Sequence, residues 1–232
     1  YRFMSPIQAM MRRLGEGGEI KTLSIREHRF PFLKKVGDWN RFNEKTGGTL
    51  VEKCCHFFDL MNLMIHSVPV KIYASGGQSV NHLDECYSGK TPDILDNSFV
   101  IVDFEKGQRA MLDLCMFAEG SRYEQEIVLT GDKGKLETFV PGKELLISNR
   151  QKNSFQIKEI KNDSRVREEG LHYGASYIEH LELIDCIRQG KSAMVDCQNG
   201  LDSMVLGLAA QASIDTGEPI YLNEFLRNKY DI

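Results

Sequence analysis

Ser98–Met116 reads SFVIVDFEKGQRAMLDLCM, two apolar-rich runs joined by EKGQ at 105–108. Apolar side chains recur with a period of two, the mark of a strand, and a short Gly-containing connection between two such runs predicts an antiparallel hairpin. The same period extends from Val70 to about Ile160. Strands are therefore expected at 70–75, 98–104, 109–116, 123–130, 135–139, 144–148 and 154–160, with a second hairpin at GDKG, 131–134. Short connections make most neighbours antiparallel. The irregular stretch 76–97 interrupts the series as a long insertion.

Helical patterns flank this meander. Ser5–Pro6 followed by Ile7, Met10, Met11 and Leu14 predicts a short helix with Pro in its first turn, ended by the glycines of 15–18. Residues 20–30, IKTLSIREHRF, favour one more strand, and 31–48 reads as a loop or broken helix. In GGTLVEKCCHFFDLM, 47–61, Thr49 and Glu52 fit a capping box, which starts a helix at Thr49. Leu50, Cys54, Phe57, Phe58, Met61 and Ile65 share its core face, and Glu52, His56 and Asp59 lie opposite. Ser176–Gln189 and Gly200–Thr216 predict two closing helices, stopped by Gly190 and Gly217. The expected fold class is α+β: a large, mostly antiparallel sheet with helices on one face.

Composition excludes several functions. The 232 residues are 41% hydrophobic and 27% charged, with a net charge of −4 and no basic block to track phosphates. No nucleic-acid or membrane partner is expected, because no apolar run approaches the roughly 18 residues that span a bilayer. Six cysteines without CxxC or Cys/His spacing argue against zinc and for a cytoplasmic protein. The chain opens at Tyr1, and its first residues read as mid-sequence, so an N-terminal portion is expected ahead of it.

Glu52 and His56 stand four apart, where a carboxylate can orient an imidazole for acid–base work near neutrality; a cap and an ordinary surface histidine explain the same spacing. Metal binding lacks a third ligand. Trp39, with Asn40 and Arg41, offers an indole wall beside hydrogen-bond donors, suited to a polyhydroxylated ligand or to packing. His172 and Tyr173 precede a helix; His28, His66, His82 and His180 have no neighbours that make a case. GEGG at 15–18 follows a helix rather than a strand, so no segment cradles a dinucleotide by itself.

Taken in order, RFMSPIQAMMRRLGEGGEI, GGTLVEKCCHFFDL, DNSFVIVDFEKGQRAML, IVLTGDKGKLE, LHYGASYIEHLELIDCIRQGK and NGLDSMVLGLAAQASIDTGEPI resemble the Gfo/Idh/MocA family of NAD- or NADP-dependent sugar and cyclitol oxidoreductases. The resemblance implies that residues 1–18 are the end of an N-terminal dinucleotide-binding domain, and that 19–232 form an α+β substrate-binding and oligomerisation domain. The family's dinucleotide fingerprint and its Glu-Lys-Pro segment, source of a catalytic Lys, are not in this chain. By the same resemblance His56 is the catalytic acid–base group and Glu52 orients it or the substrate, although most relatives carry Asp there. Trp39, Asn40, Arg41, His172 and Tyr173 are then substrate contacts, and Asp59 is structural. NAD or NADP is bound mainly by the absent domain, and the chain alone is expected to be inactive. Strand SFVIV is apolar on both faces, so a homodimer or homotetramer is expected through the open face of the sheet. Two rival readings keep the fold: transient oxidation by bound NAD within a hydrolysis or epimerisation, and a scaffold that has lost catalysis.

Overall fold

A computed structural model describes residues 1–230. Among them, nine strands form one sheet: β1 (Ile20–His28), β2 (Pro69–Gly77), β3 (Asn97–Phe104), β4 (Arg109–Cys115), β5 (Gln125–Gly131), β6 (Gly134–Val140), β7 (Glu144–Asn149), β8 (Ser154–Glu159) and β9 (Ile220–Tyr221). Their spatial order is β8-β7-β6-β5-β1-β4-β3-β2-β9. The helices are α1 (Ser5–Met11), α2 (Asn43–Thr46), α3 (Thr49–Glu52), α4 (Cys55–Ile65), α5 (Ala175–Gln189), α6 (Cys197–Thr216) and α7 (Leu222–Tyr230). Single 3-10 segments cover 14–17, 36–41 and 170–172. No helix among the described residues is long and apolar enough to cross a membrane.

The meander exists as two separate ribbons. β2–β3–β4 and β5–β6–β7–β8 are each antiparallel, and β1 lies between them. Ile25 of β1 sits opposite Leu112 in a parallel pairing and opposite Ile127 in an antiparallel one. Residues 116–124 therefore carry the chain past β1 instead of closing a hairpin. Leu23 and Ile25 hold the strand there by pointing into the same core as Leu112, Leu114, Ile127 and Leu129.

Helices cover that face. Phe57, Phe58, Met61 and Met64 of α4 and Leu206, Ala209 and Ala210 of α6 are fully buried against it. Burying each large apolar side chain contributes about 1.5–3 kcal/mol. The α3 and α6 backbones nearly touch, since a Cβ on Gly207 would meet Leu50 O at 2.7 Å. The opposite face carries Tyr73, Phe99, Ile101 and Met111 in the open. Tyr73, Ile101 and Met111 stand side by side across β2, β3 and β4.

The helix expected from Thr49 onward is two helices. No capping box forms: Gly48, at φ 89°, is the N-cap, and the Thr49 hydroxyl donates to Leu95 O at 2.6 Å. The N–H groups of both Lys53 and Cys54 turn to Thr49 O, at 2.9 and 3.2 Å, which widens the turn and separates α3 from α4. The core stripe survives this break, with Leu50, Cys54, Phe57, Phe58, Met61 and Ile65 all buried. The last long helix also starts earlier than expected: the Asp196 carboxylate accepts from Asn199 N and the Asn199 side chain accepts from Asp196 N, a reciprocal cap.

Candidate active site

His56 is the second residue of α4, just past the break, and its ring is open to solvent on one side. Tyr1 stacks on it, with centroids 5.1 Å apart and planes 28° from parallel, and also meets Phe57 edge-on. Crowding by protein lowers the imidazole pKa below its ordinary value, and Lys53 and His172 add to the shift. The lowered pKa favours the neutral ring, which can accept a proton.

His172, more than a hundred positions away in the chain, stands close enough for its charge to bear on His56. It ends the 3-10 segment 170–172, and its Nδ1 lies 3.2 Å from Ser176 Oγ. Tyr173 follows at φ 51°, packed on the core, and burial raises its hydroxyl pKa, helped by Glu124. The family resemblance named His56, His172 and Tyr173; the structure sets His172 within electrostatic reach of His56, with Tyr173 next to it in the chain.

Glu52 is placed differently. α3 ends at Glu52 and α4 begins at Cys55, and among the described residues no hydrogen bond joins Glu52 to His56. Burial raises its carboxyl pKa, while Lys53 and Lys35 pull it back, which sets Glu52 beside the 31–41 loop. In that loop Trp39 is 39% exposed, whereas Asn40 and Arg41 are buried. Asn40 donates to Leu33 O at 3.0 Å, and Arg41 Nε donates to Glu85 Oε2 at 2.8 Å. Their polar groups are spent within the loop and on the 76–97 insertion, so of the three only Trp39 presents an open surface. Asp59 forms a two-pronged ion pair with Arg2, at 2.5 and 2.6 Å, and ties α4 to the first residues.

Beneath His56 and Tyr173 lies a polar cluster that spacing did not reveal. Glu27 of β1 has a fully buried side chain, and Lys53 Nζ stands 2.9 Å from its Oε1. Gln125 donates to Glu27 Oε2 at 2.5 Å, and Arg29 Nη1 lies 3.6 Å from Oε1 and 3.7 Å from Glu124. One signal for it was present in the sequence: Leu23, Ile25 and Glu27 occupy the same alternating slots, so a carboxylate stands where an apolar residue is expected. A groove of about 710 Å3 between the end of α4, the start of α6 and α7 contains none of the site residues except Arg2's flank of the Asp59 pair.

Residues 12–222 match the family described as "Oxidoreductase family, C-terminal alpha/beta domain". No curated protein matches. Among solved structures, an oxidoreductase from Agrobacterium radiobacter in complex with NAD+, L-tartaric acid and magnesium is 17% identical, with a TM-score of 0.76 over 97% of this chain and 64% of that one. A levoglucosan dehydrogenase in complex with NADH and levoglucosan is 14% identical, with a TM-score of 0.79 over 96% of this chain and 64% of that one. A putative myo-inositol dehydrogenase from Sinorhizobium meliloti is 20% identical, with a TM-score of 0.68 over 95% and 63%. At these identities the likeness shows a shared fold, and the chain spans less than two thirds of each structure's length. The match over residues 12–222, on a nine-stranded sheet with helices on one face, makes this chain a member of the Gfo/Idh/MocA oxidoreductase family, corresponding to its C-terminal alpha/beta domain.

Proposed function

We propose that this chain is the substrate-holding and proton-handling part of an oxidoreductase that transfers a hydride between a sugar or cyclitol CH–OH carbon and NAD or NADP. The observation that carries this reading is that His172, from a distant segment, stands within electrostatic reach of the exposed His56 at the start of α4. The solved relatives add support from their ligands: levoglucosan with NADH in one, L-tartaric acid with NAD+ in another.

The residues described do not fit a dinucleotide by themselves. Gly15–Gly18 follows a helix and leads into β1, the reverse of a phosphate-binding turn, and at the start of α6 the Asn199 N–H donates to the Asp196 carboxylate. The nicotinamide, when bound, supplies the hydride acceptor. This chain's share is to hold the substrate and move its proton. His56 accepts the hydroxyl proton as the carbinol carbon is oxidised, and returns it in the reverse direction. Glu52 orients the substrate from the side of the 31–41 loop, with Trp39 as a wall that Asn40 and Arg41 hold in place. His172 and Tyr173 contact further hydroxyls.

In this reading residues 1–18 end a dinucleotide-binding domain, and 19–232 form the substrate-binding and oligomerisation domain. The open row of Tyr73, Ile101 and Met111 suits a homodimer or homotetramer built face to face. Six cysteines outside any disulfide suit the cytoplasm.

The test is reduction of NAD and NADP by full-length protein across inositols, aldoses and aldonic acids, with His56→Ala in parallel. Turnover with at least one polyol, falling by about 100-fold or more in the variant, is expected. Equal turnover in both proteins would remove His56 from the chemistry. Tightly held cofactor without net reduction would move the reading to transient oxidation.

A further inference from the structure

We propose that Glu85, in the 76–97 insertion, is a positioning residue that holds the 36–41 turn through Arg41 and so fixes Trp39 in place. The proposal rests on reading Trp39 as a wall for the substrate. It gives the insertion a task that neither the sequence nor the comparisons assign to it.

The turn does not hold its own shape. Gly37 and Asp38 are both left-handed, at φ 66° and 51°, a conformation that a residue with a side chain rarely keeps unless its surroundings enforce it. Trp39 follows directly and is 39% exposed, whereas Asn40 and Arg41 behind it are 1% and 4% exposed. Asn40 bonds within the loop, donating to Leu33 O at 3.0 Å. Arg41 reaches out of the loop twice. Its Nε donates to Glu85 Oε2 at 2.8 Å, and its carbonyl accepts from Asp93 N at 3.2 Å.

Glu85 is surrounded by donors that fix it in turn. Tyr87 Oη donates to the same Oε2 at 2.7 Å, and His82 Nδ1 stands 2.8 Å from Oε1. Burial pushes the Glu85 carboxyl up, but the hydrogen bonds from His82, Tyr87 and Arg41 outweigh it and hold the group well below the usual carboxylate range. It therefore faces the Arg41 guanidinium as an anion. The Tyr87 ring also meets Phe42, the residue after Arg41, edge-on at 6.1 Å. The insertion has a base of its own on the sheet. Asp96 accepts from the N–H groups of Val80 and Asn81 at 2.7 and 2.8 Å, and Asn81 Nδ2 donates to Met116 O, just past β4, at 2.7 Å. Support thus runs from the sheet through 79–82 to Glu85, and from Glu85 through Arg41 to the turn. An ion pair with a buried partner often stabilises a fold no better than apolar residues of the same size; what this one supplies is a fixed place for Arg41.

The experiment follows Trp39, the only tryptophan of the 232 residues, by fluorescence of this chain. Glu85→Ala removes the acceptor of all three hydrogen bonds. Acrylamide quenching is expected to rise about twofold, since a ring 39% exposed becomes nearly free, while the far-UV circular dichroism stays that of the parent. Lys90→Ala cuts another tie between the same two segments, the exposed pair of Lys90 with Glu44 at 3.3 Å, and is expected to leave quenching unmoved. If Glu85→Ala fails to fold because Arg41 is stranded, the double variant Arg41→Met/Glu85→Ala removes both charges and is expected to free Trp39 likewise. Quenching unmoved in a folded Glu85→Ala or double variant, or moved equally by Lys90→Ala, would overturn the proposal. In full-length protein acting on a polyol, Glu85→Ala is expected to raise KM about 10-fold with kcat held within about threefold, the mark of lost binding rather than lost chemistry. Freed fluorescence with an unchanged KM would remove Trp39 from the substrate site and leave the hold of Glu85 on the turn standing.

Discussion

On β3, Val100 and Val102 are sealed in the core with α4 and α6, while Phe99 and Ile101, each one residue away, are 61% and 48% exposed. The four side chains are chemically alike, and only their parity along the strand separates them. The covered face obtains its lid from its own chain, through α4 and α6. The open face has no lid among the described residues. Alternation therefore says that a strand exists, and the supply of helices says which face belongs to the monomer's core.

Substitutions sharpen this contrast. The largest effect is expected at Phe57, which is buried in α4 against the covered face: Phe57→Ala should cost about 3–5 kcal/mol in denaturant unfolding. Phe99→Ala on the open face should cost far less, and a comparable loss there would mean that both faces are core. Gly207→Ala comes next, because the new Cβ would press on the Leu50 backbone and part α6 from α3. A loss of about 1–3 kcal/mol is expected by the same unfolding measurement. Ile101→Lys is expected to move the unfolding midpoint least, by about 0.5 kcal/mol or less. It should nevertheless break self-association in sedimentation velocity; unchanged association would place the oligomer interface elsewhere.

The same reasoning explains what could be read from the sequence. Strands were legible because period-two alternation is local, and the hairpins at 105–108 and 131–134 announced themselves through Gly in short connections. The core stripe of α4 was legible for the same reason. The place of β1 between β4 and β5 was not, since pairing between distant segments leaves no local trace. Nor was the break after Glu52, where Leu95 takes the Thr49 hydroxyl and Glu27 takes the Lys53 ammonium, both from far along the chain. That break falls between Glu52 and His56, which equal spacing on one continuous helix would have put on one face. Asn40 and Arg41 looked like open donors because a sequence does not display the partners, Leu33 O and Glu85, that consume them.

The position of β1 has a consequence for synthesis. A ribosome makes β1 before either of its neighbours, which do not exist until residues 109–131 have emerged. The ribbon β2–β3–β4 can zip up as it appears, and β5–β8 can follow, but in the sheet of the described residues the two are joined only through β1. Until β4 and β5 arrive, the nascent chain carries a nine-residue strand with both edges unsatisfied. Its charged residues, Lys21, Arg26 and Glu27 among the apolar ones, then disfavour pairing with the wrong chain.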